Sequence, residues 1–276
     1  MTLRTALLQG TKLLEEAGIA VPRLTAEVLL AHAIGRPREF FYAHPEEELT
    51  ELGWVHYGRY LHQRIEGKPT QYITKKQEFY GREFVVGPDV LIPRPETEHL
   101  VEAALAKIQP GDRVLDIGTG SGAIAITLAL ETEARVFATD ISMAALRVAA
   151  LNAHRLEARV EFVAADLASC IGPQSIDVLV SNPPYVPRTD QPGLQREVRD
   201  YEPEIALFGG PKGLDFYERI IDESRTVLRP GGWLLFELAY NAVDPVRAML
   251  GSEWTDIEVH TDLAGLPRVL EAHLPA

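Results

Sequence analysis

Ser181-Asn182-Pro183-Pro184-Tyr185 combines residues that together can grip a planar –NH2 group. Asn182 offers one carbonyl acceptor and two N–H donors. Pro184 keeps Pro183 extended, so the Pro183 carbonyl points in a set direction and is not consumed by a helix. Tyr185 adds a flat face. With the Asn182 oxygen taking one hydrogen and a proline-loop carbonyl the other, the stretch makes a slot suited to an amide or an aryl amine. Asn and Pro are also ordinary turn residues, and Asn-Pro alone would read as a loop that ends a strand. Here it follows residues 176–180, an apolar run rich in β-branched side chains that reads as a buried parallel strand. Open α/β sheets bind their ligands at the carboxyl edge of such strands.

Three more features fall on the same edge. Strand 113–117 runs into Gly118-Thr119-Gly120-Ser121-Gly122 and a helix over 123–130. Glycines there allow a sharp turn and the close approach of a ligand. Gly118-x-Gly120-x-x-Ala123 also fits the dinucleotide fingerprint, so the loop alone is a weak signal. Strand 136–140 ends in Asp140, within reach of ribose hydroxyls; a helix cap is the alternative. Strand 160–163 leads to Asp166 and Leu167, an acceptor for an exocyclic adenine amine beside an apolar face; a loop-capping Asp is the alternative. A dehydrogenase would need a nicotinamide site and a His or Lys acid, and none stands out. S-adenosylmethionine fits better, its adenosine over the first three features and its methylsulfonium toward Asn182.

The elements around this edge follow from composition and period. The 276 residues are 46% hydrophobic and 24% charged, which is ordinary for a globular chain. No apolar run is long enough to span a bilayer, and the start, Met1-Thr2-Leu3-Arg4-Thr5, lacks the apolar core and small-residue cleavage site of a signal peptide, so no secretory leader is expected. The lone Cys170 forms no internal disulfide and no Cys/His cluster has zinc-like spacing, so no metal and a reduced cytoplasm are expected. A net charge of −13 disfavours tight binding along a phosphate backbone. Residues 1–67 read as a small helical bundle, with Pro45-Glu46-Glu47-Glu48 as the acidic first turn of a longer helix. Residues 68–97 read as a β-hairpin linker, Gln71-Tyr72-Ile73-Thr74 pairing with residues 78–84 across a Lys75-Lys76-Gln77 turn. Thr97 or Glu96 then caps a helix over 98–108, and Arg94 and Glu96 form either a stiff linker or a rim over the cofactor. Beyond the slot, residues 186–212 are Pro-rich and charged and read as a lid or a groove wall. A helix over 214–228, a Pro230-Gly231-Gly232 turn, strand 233–237, a helix capped by Asp244 and an antiparallel pair over 254–260 and 268–273 complete a domain spanning 98–276.

Pro22-Arg23-Leu24-Thr25-Ala26-Glu27-Val28-Leu29-Leu30-Ala31-His32, Gln71-Tyr72-Ile73, Glu78-Phe79-Tyr80-Gly81, Leu91-Ile92-Pro93-Arg94-Pro95-Glu96-Thr97-Glu98 and Asn182-Pro183-Pro184-Tyr185 resemble the HemK/PrmC family. Its members methylate a glutamine of peptide chain release factors. Asn-Pro-Pro-Tyr is shared with methyltransferases of adenine N6 and guanine N2; the Ile-Pro-Arg-Pro-Glu-Thr-Glu block is far more specific. Tyr201-Glu202-Pro203, Gly209-Gly210, Gly213-Leu214-Asp215 and Asp262-Leu263-Ala264-Gly265 match as well. The resemblance implies an α/β fold: a seven-stranded, Rossmann-like class I S-adenosylmethionine-dependent methyltransferase domain behind a helical substrate-recognition domain. It implies the Gly-Gly-Gln glutamine of a release factor as substrate. Cofactor contacts carry over to Gly118, Thr119, Gly120, Ser121, Gly122, Asp140, Asp166, Leu167 and Asn182, and substrate contacts to Asn182, Pro183, Pro184 and Tyr185. Two places depart from the family pattern: Glu237-Leu238-Ala239-Tyr240-Asn241-Ala242, where a Gly and a final Gln are usual, and Lys75, where a glycine is usual.

A carboxamide nitrogen is a weak nucleophile, and no His or Lys flanks the slot, so no general base is assigned. Positioning and fixed dipoles from Asn182, Pro183 and Tyr185 are expected to carry the catalysis. A monomer that binds a release factor and neither membrane nor nucleic acid is expected. Two rivals stay open: a nucleic-acid amine methyltransferase, and a silent binding module on the same fold.

Overall fold

Leucines at helical spacing build the first part of the computed structural model, which describes residues 1–276. One unit comprises Met1–Lys76 together with Gln195–Tyr201, the other Gln77–Leu194 with Glu202–Ala276. In the first, α1 (Leu3–Glu16), α2 (Pro22–Ile34), α3 (Glu39–Ala43), α4 (Glu51–Ile65) and α5 (Thr70–Thr74) pack around Leu7, Leu14, Leu29, Leu30, Tyr57 and Leu61. The buried Glu27 carboxylate accepts from Arg23 at 2.7 Å, from Arg38 at 2.9 Å and from the Tyr42 hydroxyl at 2.8 Å. Burial alone would raise its pKa, yet these hydrogen bonds hold it below the usual carboxylate range.

Two expectations in this unit are corrected. Pro45 to Glu48 is not a helical turn: its backbone accepts from Leu3 and Arg4, and α4 begins after Thr50, whose hydroxyl accepts from Gly53 N. Gln71-Tyr72-Ile73-Thr74 is not a strand, because Tyr72, Ile73 and Thr74 are all buried, which a half-exposed strand does not allow and a helical turn does. Lys75 closes that turn at φ 61, the left-handed region, which explains physically why a glycine suits the position.

The hairpin instead comprises β1 (Lys76–Phe79) and β2 (Arg82–Val85). It turns at Tyr80-Gly81, both at positive φ, which matches the twist of a two-residue hairpin. Phe79 and Phe84 meet edge to face at 6.1 Å in the core of the second unit. There the order is α6 (Glu98–Leu105), β3 (Arg113–Ile117), α7 (Ala123–Glu131), β4 (Arg135–Asp140), α8 (Met143–Leu156), β5 (Val160–Ala164) and β6 (Ile176–Ser181). After α9 (Arg196–Tyr201), which belongs to the first unit, come α10 (Glu204–Leu207), α11 (Asp215–Val227), β7 (Leu228–Glu237), α12 (Val243–Met249), β8 (Thr255–Thr261) and β9 (Pro267–Leu274).

The seven-stranded sheet runs β5-β4-β3-β6-β7-β9-β8, parallel from β5 to β7 and antiparallel at β9 and β8. Both faces are covered, so the central strands are apolar on both sides. Val178 and Val180 face a core shared with α6 and α7, while Leu179 faces one shared with α11 and α12. Three local readings differ from the sequence expectation. Pro230-Gly231-Gly232 is not a turn but an irregularity within β7, where the register with β6 shifts. Asp244 lies inside α12, with Ala242 at the cap position. Thr97 sits in a 3-10 turn (Pro95–Thr97) and makes no cap hydrogen bond, because its hydroxyl is engaged elsewhere.

A buried asparagine ties the hairpin to the glycine loop. Asn152 on α8 accepts from Val85 N at 2.7 Å and donates to Val85 O at 3.0 Å and to Ser121 O at 2.9 Å. Asn152→Ala should lower the unfolding free energy by about 3 kcal/mol, since it strips partners from groups held away from water. The readout is a lower urea midpoint at unchanged slope. A loss below about 0.5 kcal/mol would mean those groups find other partners.

Candidate active site

Parallel pairing places the chemistry-bearing residues in one row. Ile117 is in register with Thr139 and with Ser181, Asp140 with Ala164, and Ser181 with Phe236. The next residues along are the glycine loop, the tip of β4, the Ala165–Leu167 corner, Asn182 and Glu237. A cavity of about 200 Å³ opens at this edge. Gly118, Gly120, Asp140, Asp166, Leu167, Asn182, Pro183 and Pro184 all line it. The chain thus brings together most of the residues singled out from sequence.

Thr119, Ser121, Gly122 and Tyr185 lie behind the wall. The Thr119 hydroxyl donates to Asp116 Oδ2 at 2.7 Å, and Ser121 is buried with its carbonyl on Asn152. Gly122 starts α7 at φ 83 against Ile126 and Ala149. Tyr185 packs against the apolar core beside α11 and directs its hydroxyl to Glu237 Oε1 at 3.4 Å. Burial, and then the nearby Glu237 carboxyl, push the Tyr185 pKa well above its usual value.

Asp140 is engaged on both oxygens: Oδ2 accepts from Gly120 N at 2.9 Å and Oδ1 from Ser142 N at 2.8 Å. The cap of α8 is Ser142, whose hydroxyl accepts from Ala145 N. Burial raises the Asp140 pKa, and those two amide donors oppose the rise. Asp166 pairs with Arg219 of α11 at 2.8 Å, a residue that lines the same cavity with Phe216 and Ile220. Gly118 and Gly120 stand at φ 72 and φ 56, and a Cβ on either would meet no protein atom within 4 Å. This leaves bare backbone facing open space, with room for the sugar and amino-acid portion of S-adenosylmethionine to approach. Asp116 beneath the loop is fully buried, and burial pushes its pKa up to about 7.

The proline corner is clamped by glycines. Gly209 N donates to Val186 O at 3.0 Å, and Val186 N to Leu207 O at 2.9 Å. A Cβ on Gly209 would strike the Pro184 carbonyl, and one on Gly213 the Tyr185 carbonyl. Arg94 reaches Glu202 Oε1 at 2.5 Å while Ile92 N donates to Oε2, so the Ile-Pro-Arg-Pro approach is tied to the segment carrying Pro203, Ile205 and Ala206 of the cavity wall.

Thr97 and Glu237 were not among the site residues read from sequence, and neither were Ser142, Phe216, Arg219 and Ile220 of the cavity wall. Glu237, nearly fully buried, accepts from the Thr97 hydroxyl at 2.5 Å, and Thr97 Oγ1 in turn accepts from Asn182 Nδ2 at 3.1 Å. Burial pushes the Glu237 carboxyl up to about 7, against the pull of the Thr97 and Tyr185 hydrogen bonds. A carboxylate at the end of a central strand, level with Asn182, was the available signal.

Fold and edge define an S-adenosylmethionine-dependent methyltransferase of the seven-stranded class. A methyltransferase from Pyrococcus furiosus shares the fold at a TM-score of 0.56 and 18% identity, over 75% of this chain and 94% of that one. A 16S rRNA guanine-N2 methyltransferase of T. thermophilus, solved with AdoMet and guanosine, matches at 0.51 and 18%, over 72% of this chain and 49% of that one. Residues 5–74 match the PrmC N-terminal domain and residues 96–196 the methyltransferase small domain. The release factor glutamine methyltransferase of Koribacter versatilis is 47% identical over 100% of this chain and 99% of its own length. Those of Moorella thermoacetica (42%; 99% and 99%) and Nitratidesulfovibrio vulgaris (40%; 98% and 95%) also align over nearly their whole length. The chain belongs to the release factor glutamine methyltransferase family.

Gly213→Ala should shift the Tyr185 carbonyl and the corner before it. A misplacement of about 1 Å costs roughly 10²-fold in turnover. Cofactor affinity by calorimetry should hold, because Gly213 does not line the cavity. Unchanged turnover would show that the corner tolerates the shift.

Proposed function

We propose that this protein transfers a methyl group from S-adenosylmethionine to the side-chain amide nitrogen of the glutamine in the Gly-Gly-Gln loop of a class 1 peptide chain release factor. What carries the reading is that Asn182 and Pro183 line the same cavity as the glycine loop and Asp140, in a chain whose full-length relatives bear that activity's name. The bound cofactor supplies an electrophilic methyl on a positively charged sulfur. Gly118 and Gly120 would let it approach the backbone, Asp140 and Ser142 would face its ribose, and Asp166 with Leu167 would meet its adenine. Thr119, Ser121 and Gly122 would shape the loop from behind.

Asn182 Oδ1 and the Pro183 carbonyl would each take one hydrogen of the substrate –NH2. Held so, the nitrogen faces the methyl group, and the positive charge that grows on it meets two fixed dipoles. The proton leaves to solvent afterwards, since an N-alkylated amidium is strongly acidic, and no general base is required. Pro184 would close the slot, and Tyr185 would brace it through its hydroxyl rather than by stacking in the cavity.

The helical unit, which the PrmC N-terminal domain matches, would recognise the body of the release factor. We take the protein to act as a monomer in the cytoplasm; no helix is long and apolar enough to cross a membrane. The net charge of −13 favours a protein substrate over a nucleic-acid backbone.

Mass spectrometry of a release factor incubated with the protein and S-adenosylmethionine should find one added methyl on the Gly-Gly-Gln glutamine, with DNA and ribosomal RNA left unmodified. Methylated nucleic acid with an unmodified release factor would reverse the reading. Asn182→Ala should lower turnover by roughly 10²–10³-fold, as for loss of one fixed dipole, with a modest change in cofactor affinity. Asp140→Ala should chiefly weaken cofactor binding, and an unchanged calorimetric affinity would count against its role.

A further inference from the structure

We propose that Thr97 and Glu237 are positioning residues that decide which way round the Asn182 carboxamide stands, so that its oxygen and not its –NH2 faces the substrate nitrogen. The inference rests on the methyl-transfer reading and goes beyond it by assigning two residues outside the slot. An asparagine side chain is nearly symmetric in shape, and the two orientations have opposite chemistry: one accepts from an incoming –NH2, the other repels it. Something must choose between them.

The choice follows from counting hydrogens. Thr97 has one hydroxyl hydrogen, and its oxygen stands 2.5 Å from Glu237 Oε2, the separation of an O–H donating to a carboxylate. With that hydrogen spent, Thr97 offers only lone pairs on its other side. Asn182 Nδ2 lies there at 3.1 Å and donates. Turned over, the amide would set Oδ1 against those lone pairs. The buried carboxylate therefore imposes a direction on the chain Asn182 to Thr97 to Glu237. Thr97 is buried and makes no helix-cap bond, so capping does not account for it.

The selection needs Glu237 as an anion. The groups facing its carboxyl are Thr97 and Glu96 from the 3-10 turn, Tyr185 beyond β6 and Arg268 on β9. Arg268 is itself held by Asp262 at 2.8 Å and lies 3.8 Å from Glu96, and Arg94 acts on Tyr185. Tyr217 donates to the Glu237 backbone carbonyl at 3.0 Å. Burial raises the carboxyl pKa to about 7. Below that pH, protonated Glu237 brings a hydrogen of its own. The Thr97 hydrogen is then free to turn toward Asn182, and both amide orientations are satisfied. Turnover should fall as pH drops through neutrality. Because the folded pKa lies above that of an unfolded Glu, protonation favours the folded state, so this acid limb is not unfolding.

The test compares Thr97→Val, Thr97→Ser and Glu237→Gln with the wild type, measuring kcat and both KM values on a release factor across neutral pH. Thr97→Val should lose roughly 10–10²-fold in kcat from misorientation, with both KM values little changed. Thr97→Ser should restore kcat, and Glu237→Gln should abolish the acid limb. Wild-type kcat in Thr97→Val, or an unaltered acid limb in Glu237→Gln, overturns the proposal. A substrate-free readout separates it from the functional reading. In NMR of the protein alone, the Asn182 side-chain N–H should exchange slowly in the wild type and Thr97→Ser and rapidly in Thr97→Val. Equal exchange in all three overturns the relay, whereas a wild type that leaves the release factor unmethylated overturns the substrate assignment and not the relay.

Discussion

The pairing of β3 with β6 is the constraint from which the site follows. These strands lie side by side in the sheet although β4 and β5 come between them along the chain, and their register puts Ile117 opposite Ser181. Since β4 flanks β3 on its other side, the chain reverses its winding at this point, and a crevice opens between the loops that leave in opposite directions. The glycine loop enters from one side and the proline corner from the other. A slip of one residue would turn Leu179 and Val180 to the wrong faces, and the two apolar cores forbid it.

Close backbone fit and buried hydrogen bonds together shape that edge. Gly209 and Gly213 lie so close to the Pro184 and Tyr185 carbonyls that a side chain on either would displace the corner. Asn152 joins the hairpin to the glycine loop through three hydrogen bonds. Glu202 joins the Ile-Pro-Arg-Pro segment to the wall of the cavity. Matches to the family in places without evident chemistry, such as Gly209-Gly210 and Gly213-Leu214-Asp215, thereby acquire a physical role: they hold the slot's shape.

Electrostatics at the site are arranged by burial. Asp116 on β3 and Glu237 at the end of β7 are both deeply buried carboxyls, and burial raises both toward neutrality. Each is hydrogen-bonded by a threonine hydroxyl, Thr119 for Asp116 and Thr97 for Glu237. Neither lines the cavity itself.

Sequence alone determined which residues gather at one edge of the sheet, because strands with a strong apolar pattern and short loops keep their terminal residues close to the sheet wherever the strands pair. The glycine loop, Asp140, the Asp166-Leu167 corner and Asn182-Pro183-Pro184 were legible for that reason, as was the antiparallel pair that ends the sheet. Local propensity misled at Gln71-Tyr72-Ile73-Thr74, where β-prone side chains take a helical turn because consecutive residues are buried. It misled again at Pro230-Gly231-Gly232, where β7 absorbs a turn-like triplet. Only the tertiary structure decided that Thr97 joins Asn182 to Glu237, that Tyr185 braces the corner from behind, and that Gln195–Tyr201 belongs with the helical unit through Arg64 and Glu197. These contacts join residues far apart in the chain. Their partners are chosen by register and packing, which no single segment carries.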